Sequence, residues 1–198
     1  FATNLVDKNA DAAASGLLGD DSVRKWDTQI AYTADRWHVS AFLTDFQNWT
    51  SHSYNATAQA RQVATDGTGY SLRAYWMPEE SGTSVPEISV GYDNKSYEDV
   101  TTVGAATEAS SYMIGLTWKD MIQPDDRIGL AFTQPLKATE FLEGAAANEV
   151  DPFIWEAYYA FKPNDSMEIR PAIFGGTDVM ADDQDDIFGI LTTATFKF

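Results

Sequence analysis

Nine stretches of this chain place apolar residues at every second position, and that period of two constrains the fold more than any other feature. They cover residues 25–33, 37–44, 69–76, 86–92, 110–119, 127–133, 153–161, 166–174 and 187–198, with a shorter remnant at 1–6. Trp37, Val39, Ala41 and Leu43 share one parity, as do Tyr70, Leu72, Ala74 and Trp76, and Tyr112, Ile114, Leu116 and Trp118. Successive side chains of a strand point to opposite sides, so each stretch has one apolar and one polar face. The last stretch closes on Phe196, Lys197 and Phe198 with the same alternation.

The opposite parity is small, polar or charged. Asp27, Arg73, Glu87, Arg127, Glu156, Glu168 and Arg170 all fall on it. A soluble sandwich also alternates, with the apolar face turned inward. Here the aromatics gather at strand ends instead: Trp37, Trp76, Trp118, Phe161 and Phe198 beside short connections, Trp26, Phe153 and Trp155 near long ones. Rings with an apolar body and a polar tip suit the two interfaces of a bilayer, so the apolar face is expected to meet lipid and the polar face water. Leu116, Trp118, Leu130 and Trp155 are accordingly expected to stand exposed on the outer face.

Connections supply a second alternation. Residues 34–36, 77–85, 120–126 and 162–165 form short links, whereas 7–24, 45–68, 93–109, 134–152 and 175–186 form long ones. Short turns on one rim and long loops on the other are the sidedness of outer-membrane barrels. The expected fold is all-β, a transmembrane up-and-down antiparallel β-barrel with about ten strands present. Small inward residues such as Gly91, Gly115, Gly129 and Ala131 suggest a lumen wider than ten strands enclose. Residues 1–198 are therefore expected to be the C-terminal part of a single barrel domain of roughly 16 strands. The expected location is the bacterial outer membrane, long loops extracellular and the C-terminus at the periplasmic rim.

Composition removes other classes. No stretch provides the about 20 consecutive apolar residues of a membrane-spanning helix. Cysteine is absent, so no disulfide, thiol nucleophile or thiolate metal site exists. A net charge of −17 disfavours nucleic acid. His38 and His52 have no nucleophile motif beside them, and no G-x-S-x-G occurs, so the chain does not read as an enzyme. The run Asp182, Asp183, Asp185 and Asp186 crowns a set of acidic loops. It reads as an acidic vestibule that enriches cations at one mouth of a pore, with no cofactor beyond non-specific Ca²⁺ or Mg²⁺. The competing reading is a narrow structural or adhesive barrel whose charged interior pairs into a plug and whose loops bind partners.

Residues 151–174, D-P-F-I-W-E-A-Y-Y-A-F-K-P-N-D-S-M-E-I-R-P-A-I-F, followed by the threonine-rich final strand, resemble the C-terminal hairpin and closing strand of carbohydrate-selective porins. More narrowly they resemble the cyanobacterial, iron-uptake branch of that family. The likeness covers about the last quarter of the chain and, less closely, the hairpin at 26–43. It implies a homotrimeric outer-membrane channel that passes small hydrophilic solutes, carbohydrates or inorganic ions, with outer-membrane lipids as its surroundings.

Overall fold

The computed structural model describes residues 2–7, 23–50, 64–101, 103–142, 151–179 and 186–197. They form β1 (Ala2–Asp7), β2 (Arg24–Thr33), β3 (Trp37–Thr50), β4 (Ala64–Trp76), β5 (Glu87–Glu98), β6 (Ala106–Lys119), β7 (Arg127–Phe141), β8 (Phe153–Asn164), β9 (Met167–Thr177) and β10 (Ile187–Phe196). Each strand pairs antiparallel with the next, giving one ten-stranded up-and-down sheet in chain order. Among the described residues no ladder joins β1 to β10, so the sheet is open at both edges.

Register carries the alternation across the whole sheet. Trp37 faces Trp76, which faces Ile88, which faces Leu116. The same row continues through Leu130, Ala157, Ile173 and Ile190. Because side chains repeat with period two, one slip in any ladder would send its strand's apolar set to the wrong side. Bulges shift the register only toward strand ends, between Phe46 and Trp49, between Ala106 and Tyr112 and between Phe161 and Asn164, so the apolar rows are continuous from β2 to β10. Ile30 and Ile190 are 65% and 74% exposed. Leu116, Trp118, Leu130 and Trp155 lie on this face but are half-buried rather than exposed. They sit in the middle of the sheet, where neighbours on both sides cover their flanks, as Trp155 is covered by Phe188 at 6.3 Å.

Strand ends fall within a residue of expectation beside the short connections except in β8, which runs on to Asn164. At the long connections β2, β8 and β10 start within a residue of expectation, whereas β3 to β7 and β9 run several residues further. The alternation fades there while the backbone ladder continues. As a result the β5–β6 connection shrinks to 99–105, shorter than the turn at 77–86, so connection length alone does not mark the two rims. The β6–β7 turn is built around the fully buried Asp126. Its carboxylate accepts the amides of Met121, Ile122 and Gln123 at 2.9–3.0 Å.

A buried apolar cluster of Phe46, Tyr97 and Ala109 lies on the other face, near the long connections, with Val100, Ala106 and Leu136 against it. Gly67 makes it possible: the Phe46 ring lies where a Gly67 Cβ would come within 2.7 Å of it. The face opposite the apolar rows is thus charged along its length but apolar at one end, a departure from the uniformly polar face expected.

Candidate functional site

The seven polar-parity residues Asp27, Arg73, Glu87, Arg127, Glu156, Glu168 and Arg170 all share the face opposite the apolar rows. The folded sheet brings each to a partner, on a neighbouring strand for Arg73, Glu87, Glu156 and Arg170, on the same strand for Asp27, and across β8 for Arg127 and Glu168. Arg73 lies directly across from Gly91, and the missing side chain lets its stem run flat to Asp93. There the guanidinium donates to both carboxylate oxygens at 2.7 and 2.9 Å, while Ser111 donates to the same carboxylate at 2.7 Å. Both bonds leave the one Nη2 nitrogen, while Nη1 donates to the Leu72 and Tyr92 carbonyls at 2.9 and 3.1 Å, so the guanidinium is held from two sides.

Arg127 reaches Glu168 at 2.7 Å, and Glu87 meets Lys119 at 2.5 Å. Asp27 accepts the Thr44 hydroxyl at 2.7 Å and faces Lys25 at 3.0 Å. Arg170 bonds Glu156 across the β8–β9 hairpin although Glu156 is level with Phe174, two same-face rows away, and the guanidinium bridges that span lying 4.0 Å above the intervening Tyr158 ring. Each of the seven therefore sits in a cation–carboxylate pair. Most of these groups are partly hydrated, so each pair is worth about 1 kcal/mol or less.

Asp93, Lys119 and Lys25 belong to this array and were not among the expected wall residues. The sequence alone places Asp93 in the long connection at 93–109. Its parity with Glu87, Ser89 and Gly91 was the available signal, since β5 continues to Glu98. His38 Nδ1 shares a hydrogen bond with the Thr33 hydroxyl at 2.8 Å across the tight turn.

Aromatic residues mark the rims on the apolar side. Trp37 and Trp76 are cross-strand partners with ring centroids 6.2 Å apart. Phe161 stacks on Tyr159 at 5.4 Å. Trp118 donates its indole N–H to the Ser84 carbonyl at 2.9 Å, tying a rim aromatic to the turn of the preceding hairpin. Trp155 stands toward the opposite end, facing Gly175 and Phe132. Phe198 and the acidic residues Asp182, Asp183 and Asp185 lie outside the described residues, and Asp186 is exposed just ahead of β10.

Chemically the inner face offers a row of neutralised charge pairs that can exchange hydrogen bonds with water and small polar solutes. Compared with known proteins, the chain matches no family model, no curated protein and no solved structure.

Proposed function

We propose that the chain forms part of the wall of an outer-membrane β-barrel of the carbohydrate-selective porin kind, cyanobacterial iron-uptake branch. Through it small hydrophilic solutes or inorganic ions diffuse passively, with a preference for cations. One observation carries this reading: apolar register rows run unbroken across the sheet on one face, and paired charges line the other. Such a belt would be an aggregation liability in water and is what a strand wall needs against lipid. The open edges at β1 and β10 support closure by further strands, because unpaired backbone groups cost several kcal/mol each in hydrocarbon. A homotrimer in the outer membrane, long connections outward, completes the proposal.

Cation preference is supported by the balance of charge. The wall pairs cancel, whereas Asp45, Asp66, Glu98, Asp99, Glu140 and Asp178 gather at the long-connection end. Fixed carboxylates at a mouth raise the local cation concentration. The apolar cluster of Phe46, Tyr97 and Leu136 on the inner face favours a second reading, a narrow structural or adhesive barrel with an occluded mouth.

Planar-bilayer recording of the full-length protein separates the two. Stepwise conductance with a cation-selective reversal potential is expected. Inserted protein without conductance would overturn the channel and leave the structural barrel.

A further inference from the structure

The outer face of β2 to β5 changes character along the strands. Beside the Trp37–Trp76 rim lie Tyr32, Val39, Ala74 and Val90, and above them Ile30, Ala41, Leu72 and Tyr92. Ala41 and Ala74 are diagonal neighbours in these two rows, and their small side chains leave a depression of ≈ 510 Å³ walled by the larger residues. The next two rows are of another kind. Thr28, Leu43, Tyr70 and Asn94 stand level with one another, then Trp26, Asp45 and Thr68. They enclose a second hollow of ≈ 550 Å³ that shares this face and adjoins the first.

Its chemistry is specific. A carboxylate, a carboxamide and two hydroxyls converge between the rings of Trp26 and Tyr70, which are 53% and 42% exposed. Asp45 makes no hydrogen bond or ion pair among the described residues. Arg24 stands one row nearer the loops, level with Asp66 and Glu98, and is already engaged within the protein. Recognition of a phosphate or other anionic headgroup relies on clustered Lys and Arg. This hollow presents a free carboxylate instead. A carboxylate accepts, a carboxamide donates and accepts, and flat rings cover C–H faces, the combination that suits a neutral group dense in hydroxyls.

From this continuity the geometry points to a binding site for a glycosyl lipid, its uncharged sugar between Trp26, Asp45 and Asn94 and an acyl chain over Ala41 and Ala74. The inference rests on the membrane reading above, and the rows that build the site are spaced by two residues, about 7 Å each. Sugar and chain would thus follow the strand direction from interface to bilayer interior.

The test uses the full chain in phosphatidylethanolamine vesicles carrying, in equal amounts, a monogalactosyl diacylglycerol and a phosphatidylglycerol of the same acyl chains. Flotation and protease protection first establish insertion; failure there overturns the membrane reading together with the site. For inserted protein, native mass spectrometry after extraction is expected to show the glycosyl lipid retained about tenfold over the anionic one. A74W or A41W, both changes on the outer face that fill the depression, should abolish that retention while the far-ultraviolet spectrum and melting remain those of the parent. D45K should reverse the preference toward phosphatidylglycerol. Equal retention of the two lipids, or retention indifferent to A74W and A41W, would overturn the site while leaving the membrane reading in place. Loss of subunit association in A74W with lipid retention intact would assign the depression to a second copy of the chain and overturn it likewise.

Discussion

The Tyr159 hydroxyl, on the outer face of β8, donates at 3.0 Å to Asp126 Oδ2 in the turn between β6 and β7. Together with the three amides of Met121, Ile122 and Gln123 it gives the carboxylate four donors. Burial alone would raise the Asp126 carboxyl, but these donors outweigh it and hold the group below the ordinary carboxylate value. The turn between β4 and β5 is held in the same manner, by Trp118 on Ser84. Rim aromatics of the apolar face therefore bond a neighbouring hairpin turn with the polar tip of the ring.

A pH dependence follows with a definite sign. A carboxylate whose folded-state pKa is depressed contributes stability that is fully present above its unfolded value near pH 4 and is lost as pH falls through the folded value. Melting in detergent micelles should therefore drop below about pH 4 in the parent. Asp126→Asn should melt lower at neutral pH and lose this part of the acid dependence. Tyr159→Phe should move the drop to higher pH, since one donor to the charged form is gone. Parallel acid profiles for all three proteins would remove Asp126 as the source.

Glu156 and Arg170 make the most testable wall pair, because both side chains are more than a third of the way exposed or close to it, at 34% and 41%. Solvent screening limits their coupling to about 1 kcal/mol or less, to which the Tyr158 face adds a cation–π contact of roughly 0.5–1 kcal/mol. A double-mutant cycle on E156Q and R170A by chemical denaturation should stay within that range. In conductance, R170A should increase cation selectivity by freeing Glu156, and E156Q should decrease it. Selectivity moving the same way in both variants would show that neither side chain faces the ion path.

Much of this wall can be read from the residues, and the gaps have physical causes. Strand ends at the short turns are legible because the apolar period runs up to them, as at Thr33, Trp37, Trp76 and Lys119, before turn residues break it. The far ends are not, since beyond the apolar belt the alternation breaks, with Phe46 and Tyr97 on the otherwise polar face and Asp45 and Asp66 on the other, while backbone pairing carries β3 to Thr50 and β7 to Phe141. The sequence therefore places Asp93 in a connection and hides the carboxylate partner of Arg73. Parity also says nothing of side-chain reach: the pairing of Glu156 with Arg170 follows from one hairpin, whereas Arg127 with Glu168 spans β7 to β9 and needs the folded register. The inward glycines carry a meaning that composition alone does not show. They seat neighbouring side chains flat on the wall, Arg73 over Gly91 and Tyr158 over Gly129.

Gly129 gives that idea a direct trial. A Cβ there would lie 2.1 Å from Tyr158 Cε1, far inside contact distance, so the ring would have to leave the wall. Gly129→Val should destabilise by about 1–3 kcal/mol, the usual cost of overpacking. It should also lower single-channel conductance, because the displaced ring and the Arg170 above it swing toward the lumen. The double variant Gly129→Val with Tyr158→Ala should restore both. Full conductance in the single variant would place Tyr158 away from the conducting path.

The last prediction concerns where cation preference arises. On the wall, Arg73 answers Asp93, Arg127 answers Glu168, Lys119 answers Glu87 and Arg170 answers Glu156, so the described inner face has little net field. Carboxylates outnumber Lys and Arg toward the long-connection end, and Asp182, Asp183, Asp185 and Asp186 add four more charges in sequence. Changing these four to Asn should shift the reversal potential toward zero in a dilute KCl gradient. The shift should vanish near 1 M salt, where the Debye length is only about 3 Å and mouth charges are screened from the ion path. Conductance at high salt should be unchanged, because the wall is untouched. A reversal potential indifferent to the four changes at low salt would move the source of selectivity from the mouth to a constriction within the barrel.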